Sequence, residues 1–149
     1  MTKIMIAEDQ QLIRESLKII LDSIEGFAVT TVVGNGEEVL QHLEIKRVDM
    51  ILMDIRMPVM DGVECTRIVK EKYPNVRVLI LTTFVDDEYV MKALAYGANG
   101  YILKGVSLGE LKYAIETTME GGSVLNPYVG AKMIHMMHTE KDRKSTRLN

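Results

Sequence analysis

Residues 50–62 set the terms for the whole chain. Met50-Ile51-Leu52-Met53 is apolar without interruption and runs directly into Asp54; Pro58 and Gly62 then turn the backbone. A short apolar run bounded by turn residues predicts a strand buried on both faces. Such strands belong to parallel sheets covered by helices on both sides, because a sheet with one wet face alternates polar and apolar residues instead. In open sheets of that kind, ligands and chemistry gather at the carboxyl ends of the strands. Asp54 stands at such an end and is the first candidate for a functional side chain.

Three further runs share this character: Lys3-Ile4-Met5-Ile6-Ala7, Val76 to Leu81, and Gly100-Tyr101-Ile102-Leu103. Phe27 to Val33 is β-branched but more polar, as an edge strand can be. Between the strands lie segments with helical spacing. Gln11 to Ser23 places Leu12, Ile13, Leu17, Ile20, Leu21 and Ile24 in one apolar stripe. Asn35 is placed to cap the next helix, which carries Val39, Leu40 and Leu43. A third runs from about Val63 to Lys72 and stops at Tyr73-Pro74-Asn75. Asp86 or Asp87 caps a fourth reaching Tyr96, with Gly97 suited to its left-handed end. Ser107 caps the last, Leu108 to Glu120, which Gly121-Gly122 closes. Five strands alternating with five helices predict an α/β domain over 1–122.

The chain's 149 residues suit one such domain, and 47% hydrophobic with 26% charged residues indicates a globular chain. A formal net charge of −3 makes its body a poor nucleic-acid binder by electrostatics alone. No apolar run approaches the roughly 20 residues of a membrane helix. No signal-peptide layout opens the chain, and the single Cys65 fits a reducing cytoplasm, so a cytoplasmic location is expected. Cys65 reads as a small residue packed in a helix.

The strand ends carry a specific set of groups: Glu8 and Asp9 after the first, Asp54 after the third, Thr82 and Thr83 after the fourth, Lys104 after the fifth. A parallel sheet brings all of these to one edge. Taken singly, Asp9 reads as a helix cap, Lys104 as a solvated charge and Thr82 as a strand-end residue. Taken together, three carboxylates would repel unless protonated or bridged by a cation. Mg²⁺ is hard, prefers oxygen ligands and is commonly held by one or two carboxylates. A hydroxyl and an ammonium opposite it suit phosphate oxygens. The set predicts phosphoryl transfer onto a carboxylate.

On these residues, with Met57-Pro58, Asp61-Gly62 and Gly100 to Lys104, the first 122 positions resemble a response-regulator receiver domain of two-component signalling. The resemblance implies a flavodoxin-like (βα)5 doubly wound parallel sheet, strand order 2-1-3-4-5. It implies that Asp54 accepts phosphate from a sensor histidine kinase. Asp9, Asp54 and the backbone carbonyl of Arg56 would ligate Mg²⁺, with Glu8 acting through water, and Lys104 would bind a phosphate oxygen. Thr82 and Tyr101 would form a switch. Thr83, with Arg56 and Phe84, borders the site as expected tuners of phosphoryl lifetime. Leu81 to Phe84, Gly97 to Lys104 and Gly121-Gly122 before Pro127 look like the NarL/FixJ type, whose members carry a LuxR-type helix-turn-helix. Dimerisation on phosphorylation and DNA binding through that output domain follow as implied partners, with the first and last helices as the expected dimer face.

The rest of the chain departs from that pattern. Residues 123–138 read as a linker or short helix with Val129, Met133, Met136 and Met137 on one face, a stripe suited to packing. His135 and His138 share a face but lack further metal ligands. Residues 139–149 are polar and basic, expected to be disordered or appended from outside the natural gene. No output domain follows; truncation is the favoured explanation, and a stand-alone receiver acting by protein contacts is the alternative. A Mg²⁺-dependent phosphatase of the haloacid dehalogenase type also uses an aspartyl nucleophile, but places Asp-x-Asp after its first strand. A flavodoxin-like FMN carrier would meet repulsion from Glu8 and Asp9.

Overall fold

A computed structural model describes residues 1–83 and 87–123 of the chain. Ten elements alternate without exception: β1 (Thr2–Ala7), α1 (Gln11–Asp22), β2 (Phe27–Val33), α2 (Gly36–Ile45), β3 (Met50–Met53), α3 (Gly62–Lys72), β4 (Arg77–Thr82), α4 (Asp87–Ala95), β5 (Gly100–Leu103) and α5 (Leu108–Met119). The strands form one sheet in the order β2-β1-β3-β4-β5, every pair parallel. This is the flavodoxin-like receiver fold that the strand pattern and resemblance imply, with β2 at an edge as its polarity predicts.

The two-sided burial of β3 follows from the alternation of side chains across a strand. Met50 and Leu52 pack with α1 and α5 residues such as Leu21, Leu111 and Ile115. Ile51 and Met53 pack with Val39 of α2, Val63 and Val69 of α3, and Val90 of α4. All four β3 side chains are buried, so Asp54 emerges from a strand held rigidly on both faces.

The helix starts are decided locally. Asn35 Oδ1 accepts from the Glu38 N–H at 2.9 Å, and Ser107 Oγ from the Glu110 N–H at 3.1 Å, as predicted. Asp61 does the same for Glu64 at 2.9 Å, so α3 starts one residue before the expected Val63. Gly97 closes α4 at φ 110°, in the left-handed region that favours glycine.

The α1 stripe is a correction. Leu21 and Ile24 are buried as expected, but Leu12 is 77% exposed and Ile20 is 39% exposed. The stripe is wider than the surface that β1, β2 and α5 offer it, so its outer half faces solvent. Asp86, one of two proposed α4 caps, and the segments 127–138 and 139–149 lie outside the described residues.

Candidate functional site

The carboxyl edge of the sheet gathers the expected groups. Glu8 leaves β1 with its N–H donating to Val33 O at 3.0 Å and its carbonyl accepting from Arg14 Nη1 at 2.9 Å. Asp54 leaves β3 with its N–H donating to Ala7 O at 3.0 Å. Each of Glu8, Asp9 and Asp54 offers a carboxylate oxygen within 4.8 Å of the others. Glu8 and Asp54 are buried, and Asp9 is exposed at the rim. Asp9 caps nothing: α1 is preceded by Gln10, without a side-chain capping bond. The cap reading therefore fails for Asp9.

Lys104 is not a solvated charge. Its ammonium donates to Glu8 Oε2 at 2.5 Å and to Asp54 Oδ2 at 3.1 Å, with its side chain only 12% exposed. Asp54 Oδ1 accepts from the Ile55 N–H at 2.8 Å. Both oxygens of the acceptor candidate are thus oriented by donors. Burial pushes the Glu8 carboxyl up to about 7, against the opposing pull of Lys104. Burial also opposes the Lys104 ammonium, but its two carboxylate partners outweigh that and raise its pKa above the usual lysine value.

Three carboxylates face one ammonium, so this pocket holds more negative than positive charge when all are ionised. The donor set consists of hard carboxylate oxygens, which suits Mg²⁺ and does not suit a thiol- or imidazole-seeking metal. The residues present therefore fit a hard divalent cation.

The loop from Asp54 to Gly62 shapes the mouth. The Gly62 N–H donates to Ile55 O at 2.8 Å, folding the loop back onto the end of β3. Val59 takes φ 68°, a left-handed conformation that is costly for a β-branched side chain. Arg56 is exposed, with its guanidinium 6.0 Å from the centre of the Tyr89 ring on α4. These two, with Asp9, Met57, Pro58 and Asp61, line a cleft of about 460 Å³ beside the carboxylates.

The remaining expected residues are placed as follows. Thr82 ends β4, 5% exposed. Tyr101 lies in β5 opposite Ile80, its ring fully buried in the core. Thr83 is exposed and lines a groove between α1 and α5 rather than the Arg56 cleft. Phe84 lies outside the described residues. Tyr89 and Arg14 were not anticipated. Nothing in the local sequence separates Arg14 from an ordinary solvated helix charge, and Tyr89 meets Arg56 only through the packing of α4.

Comparison with known proteins agrees with this geometry. The family described as "Response regulator receiver domain" matches residues 4–116. The chain is 40% identical over 144 residues to the transcriptional regulatory protein LnrK of Bacillus subtilis, covering 97% of this chain and 66% of that protein. It is 39% identical over 132 residues to the transcriptional regulatory protein DegU of Brevibacillus brevis, covering 89% of this chain and 56% of that protein. Among solved structures, a LuxR-family two-component response regulator from Aurantimonas sp. superposes with a TM-score of 0.83 at 26% identity, covering 92% of this chain and 99% of that one. The chain thus spans about 56–66% of the length of these two curated relatives. No helix among the described residues is long and apolar enough to cross a membrane. The fold, the carboxylate cluster and the match over 4–116 together place this chain in the response-regulator receiver domain family.

Proposed function

We propose that Asp54 is the phospho-acceptor of a two-component response regulator, taking its phosphoryl group from a cognate sensor histidine kinase in the cytoplasm. The observation that carries this reading is the convergence on Asp54, at the end of β3, of Glu8 and Asp9 from the end of β1 and Lys104 from the end of β5. In the transfer, the P–N bond of a phosphohistidine breaks as a P–O bond forms to an Asp54 carboxylate oxygen. The imidazole leaves with the electron pair of the broken bond.

Asp9, Asp54 and the backbone carbonyl of Arg56 would hold Mg²⁺, with Glu8 reaching it through water. When bound, the ion supplies positive charge opposite the phosphoryl oxygens, where charge is spread during the transfer. Lys104 then exchanges its bond to Asp54 Oδ2 for one to a phosphoryl oxygen. Thr82, at the end of β4, donates its hydroxyl to another. Only contacts better made in one conformation shift an equilibrium, and those of Lys104 and Thr82 are of that kind. As Thr82 moves toward the phosphate, Tyr101 on the neighbouring strand reorients, altering the surface of α4, β5 and α5. Arg56, Thr83 and Phe84 tune how long the phosphoryl group survives.

The readout we propose is homodimerisation that pairs two LuxR-type DNA-binding output domains. Support for a dimer face on α1 and α5 comes from the exposed Leu12, Ile19, Ile20, Leu108 and Tyr113, and from an apolar groove of about 460 Å³ between those helices.

The test is incubation with a small acyl phosphate and Mg²⁺, followed by intact-mass measurement. A gain of one phosphoryl group is expected, absent in Asp54→Ala. Labelling that persists in Asp54→Ala overturns the assignment.

A further inference from the structure

We infer that Arg14, on α1, is a positioning residue for the metal-binding carboxylates: it fixes the peptide that joins Glu8 to Asp9. This rests on the Mg²⁺ reading above and adds to it a residue with no contact to metal or phosphate.

Asp9 is the exposed member of the carboxylate cluster. The peptide between Glu8 and Asp9 is planar, so holding its carbonyl also holds the N–Cα bond of Asp9, and only rotations beyond that bond are left to aim the carboxylate. That carbonyl accepts from Arg14 Nη1 at 2.9 Å. On the other side of Glu8, its N–H donates to Val33 O at 3.0 Å. The residue is therefore clamped between the end of β2 and the first turns of α1. A charged donor makes the Arg14 bond stronger than a neutral one, and the planar guanidinium loses little freedom in making it.

The guanidinium is itself held in a slot. A Cβ placed on Gly34, in the turn after β2, would lie 3.0 Å from Arg14 Nη1. Gly34 does not occupy the left-handed region, so a side chain there is opposed by Arg14 and not by the backbone. The Gly34 N–H donates to Glu38 Oε2 at 3.2 Å, and the Gly36 N–H donates to Met60 O at 2.9 Å. The end of β2 and the turn after it thus brace the loop after β1 through Val33 and the loop after β3 through Met60. Those are the two loops that carry the carboxylates. A bare glycine at 34 leaves the space that the arginine needs to reach its carbonyl.

This arrangement predicts a specific pattern of coupling. Residues that support metal ligands from outside typically change affinity by about 10–100-fold when removed. The probe is Mg²⁺ alone, titrated calorimetrically into the full 149-residue chain. Arg14→Ala is expected to weaken Mg²⁺ binding about tenfold. Arg14→Lys, which retains a charged donor, should recover part of that loss. Gly34→Ala should weaken binding a few-fold by pushing the guanidinium aside, and should do nothing further in the Arg14→Ala background. An Arg14→Ala dissociation constant within about twofold of the parent overturns the inference, as does a Gly34→Ala effect that is undiminished without Arg14. Should Arg14→Ala fail to fold, Arg14→Lys and Gly34→Ala alone and combined carry the same test. A parent chain that takes up no Mg²⁺ overturns the metal reading itself, whereas normal parent binding with an unaffected Arg14→Ala overturns only the role of Arg14.

Discussion

Gly62 stands where the loop after β3 turns into α3, and replacing it with alanine is a severe test of the site's geometry. A Cβ at this position would lie 2.0 Å from the Asp54 carbonyl oxygen and 2.9 Å from its carbon. Contacts under 3.0 Å are essentially absent for real Cβ atoms, so the two segments must part by about 1 Å. Both partners are backbone, one at the end of β3 and one in the first turn of α3, so no rotamer change relieves the overlap. Overpacking of this kind costs about 1–3 kcal/mol, and the Gly62 N–H bond to Ile55 O is lengthened with it. A loss near 2 kcal/mol lowers the melting temperature of a domain this size by roughly 8 °C. Because the displaced group is the backbone of Asp54, the proposed acceptor, phosphoryl uptake should slow by about 100-fold. Thermal unfolding followed by circular dichroism reads the first effect, and an intact-mass time course with a small acyl phosphate reads the second. A Gly62→Ala protein that melts within about 2 °C of the parent and accepts phosphate within about twofold of its rate refutes the reasoning.

Three further outcomes are expected. The folded protein holds a proton on Glu8 up to about pH 7, while the unfolded chain releases it near 4.5, so stability without metal falls as pH rises through that window. Melting in EDTA should show this slope in the parent and a flatter one in Glu8→Gln; identical slopes would exclude Glu8 as its source. Burial pushes the Cys65 thiol up to about 12, so alkylation of the native protein at pH 8 should be far slower than of the unfolded chain, and equal rates would contradict its placement. Asn35→Ala removes the α2 cap and should cost about 1 kcal/mol, visible as a lower urea midpoint; an unchanged midpoint would deny the cap any weight.

What could be read from the sequence was what neighbours along the chain decide. Apolar runs such as Met50 to Met53 announce two-sided burial, and Asn35 and Ser107 announce helix starts, because each works over three or four residues. The strand-end groups were also readable, since a parallel sheet must bring its carboxyl ends together. Tertiary contacts were not. The apolar stripe on α1 shows which face is oily but not how much of it a partner covers, so it does not tell that Leu12 and Ile20 face solvent while Leu21 is buried. Lys104 looks like any lysine until β5 lies beside β4 and aims it at Glu8 and Asp54. Gly34 and Gly62 have negative or extended backbones, so their need for glycine is purely a matter of what stands opposite them.

The bond from Lys104 to Glu8 joins residues 96 positions apart in sequence. Lys104 directly follows β5, a strand of four residues that, among the described residues, lies at the sheet's edge and pairs with β4 alone. An edge this short is where opening motions begin. Each time β5 lifts away, the pocket loses its ammonium; each time a ligand engages that ammonium, β5 is pinned. Because Lys104 belongs both to the end of this strand and to the pocket, a ligand that engages its ammonium is expected to favour the closed edge. On the proposed function, hydrogen exchange at Ile102 and Leu103 should slow when Asp54 is phosphorylated, and unchanged exchange would refute the linkage between this strand and the site.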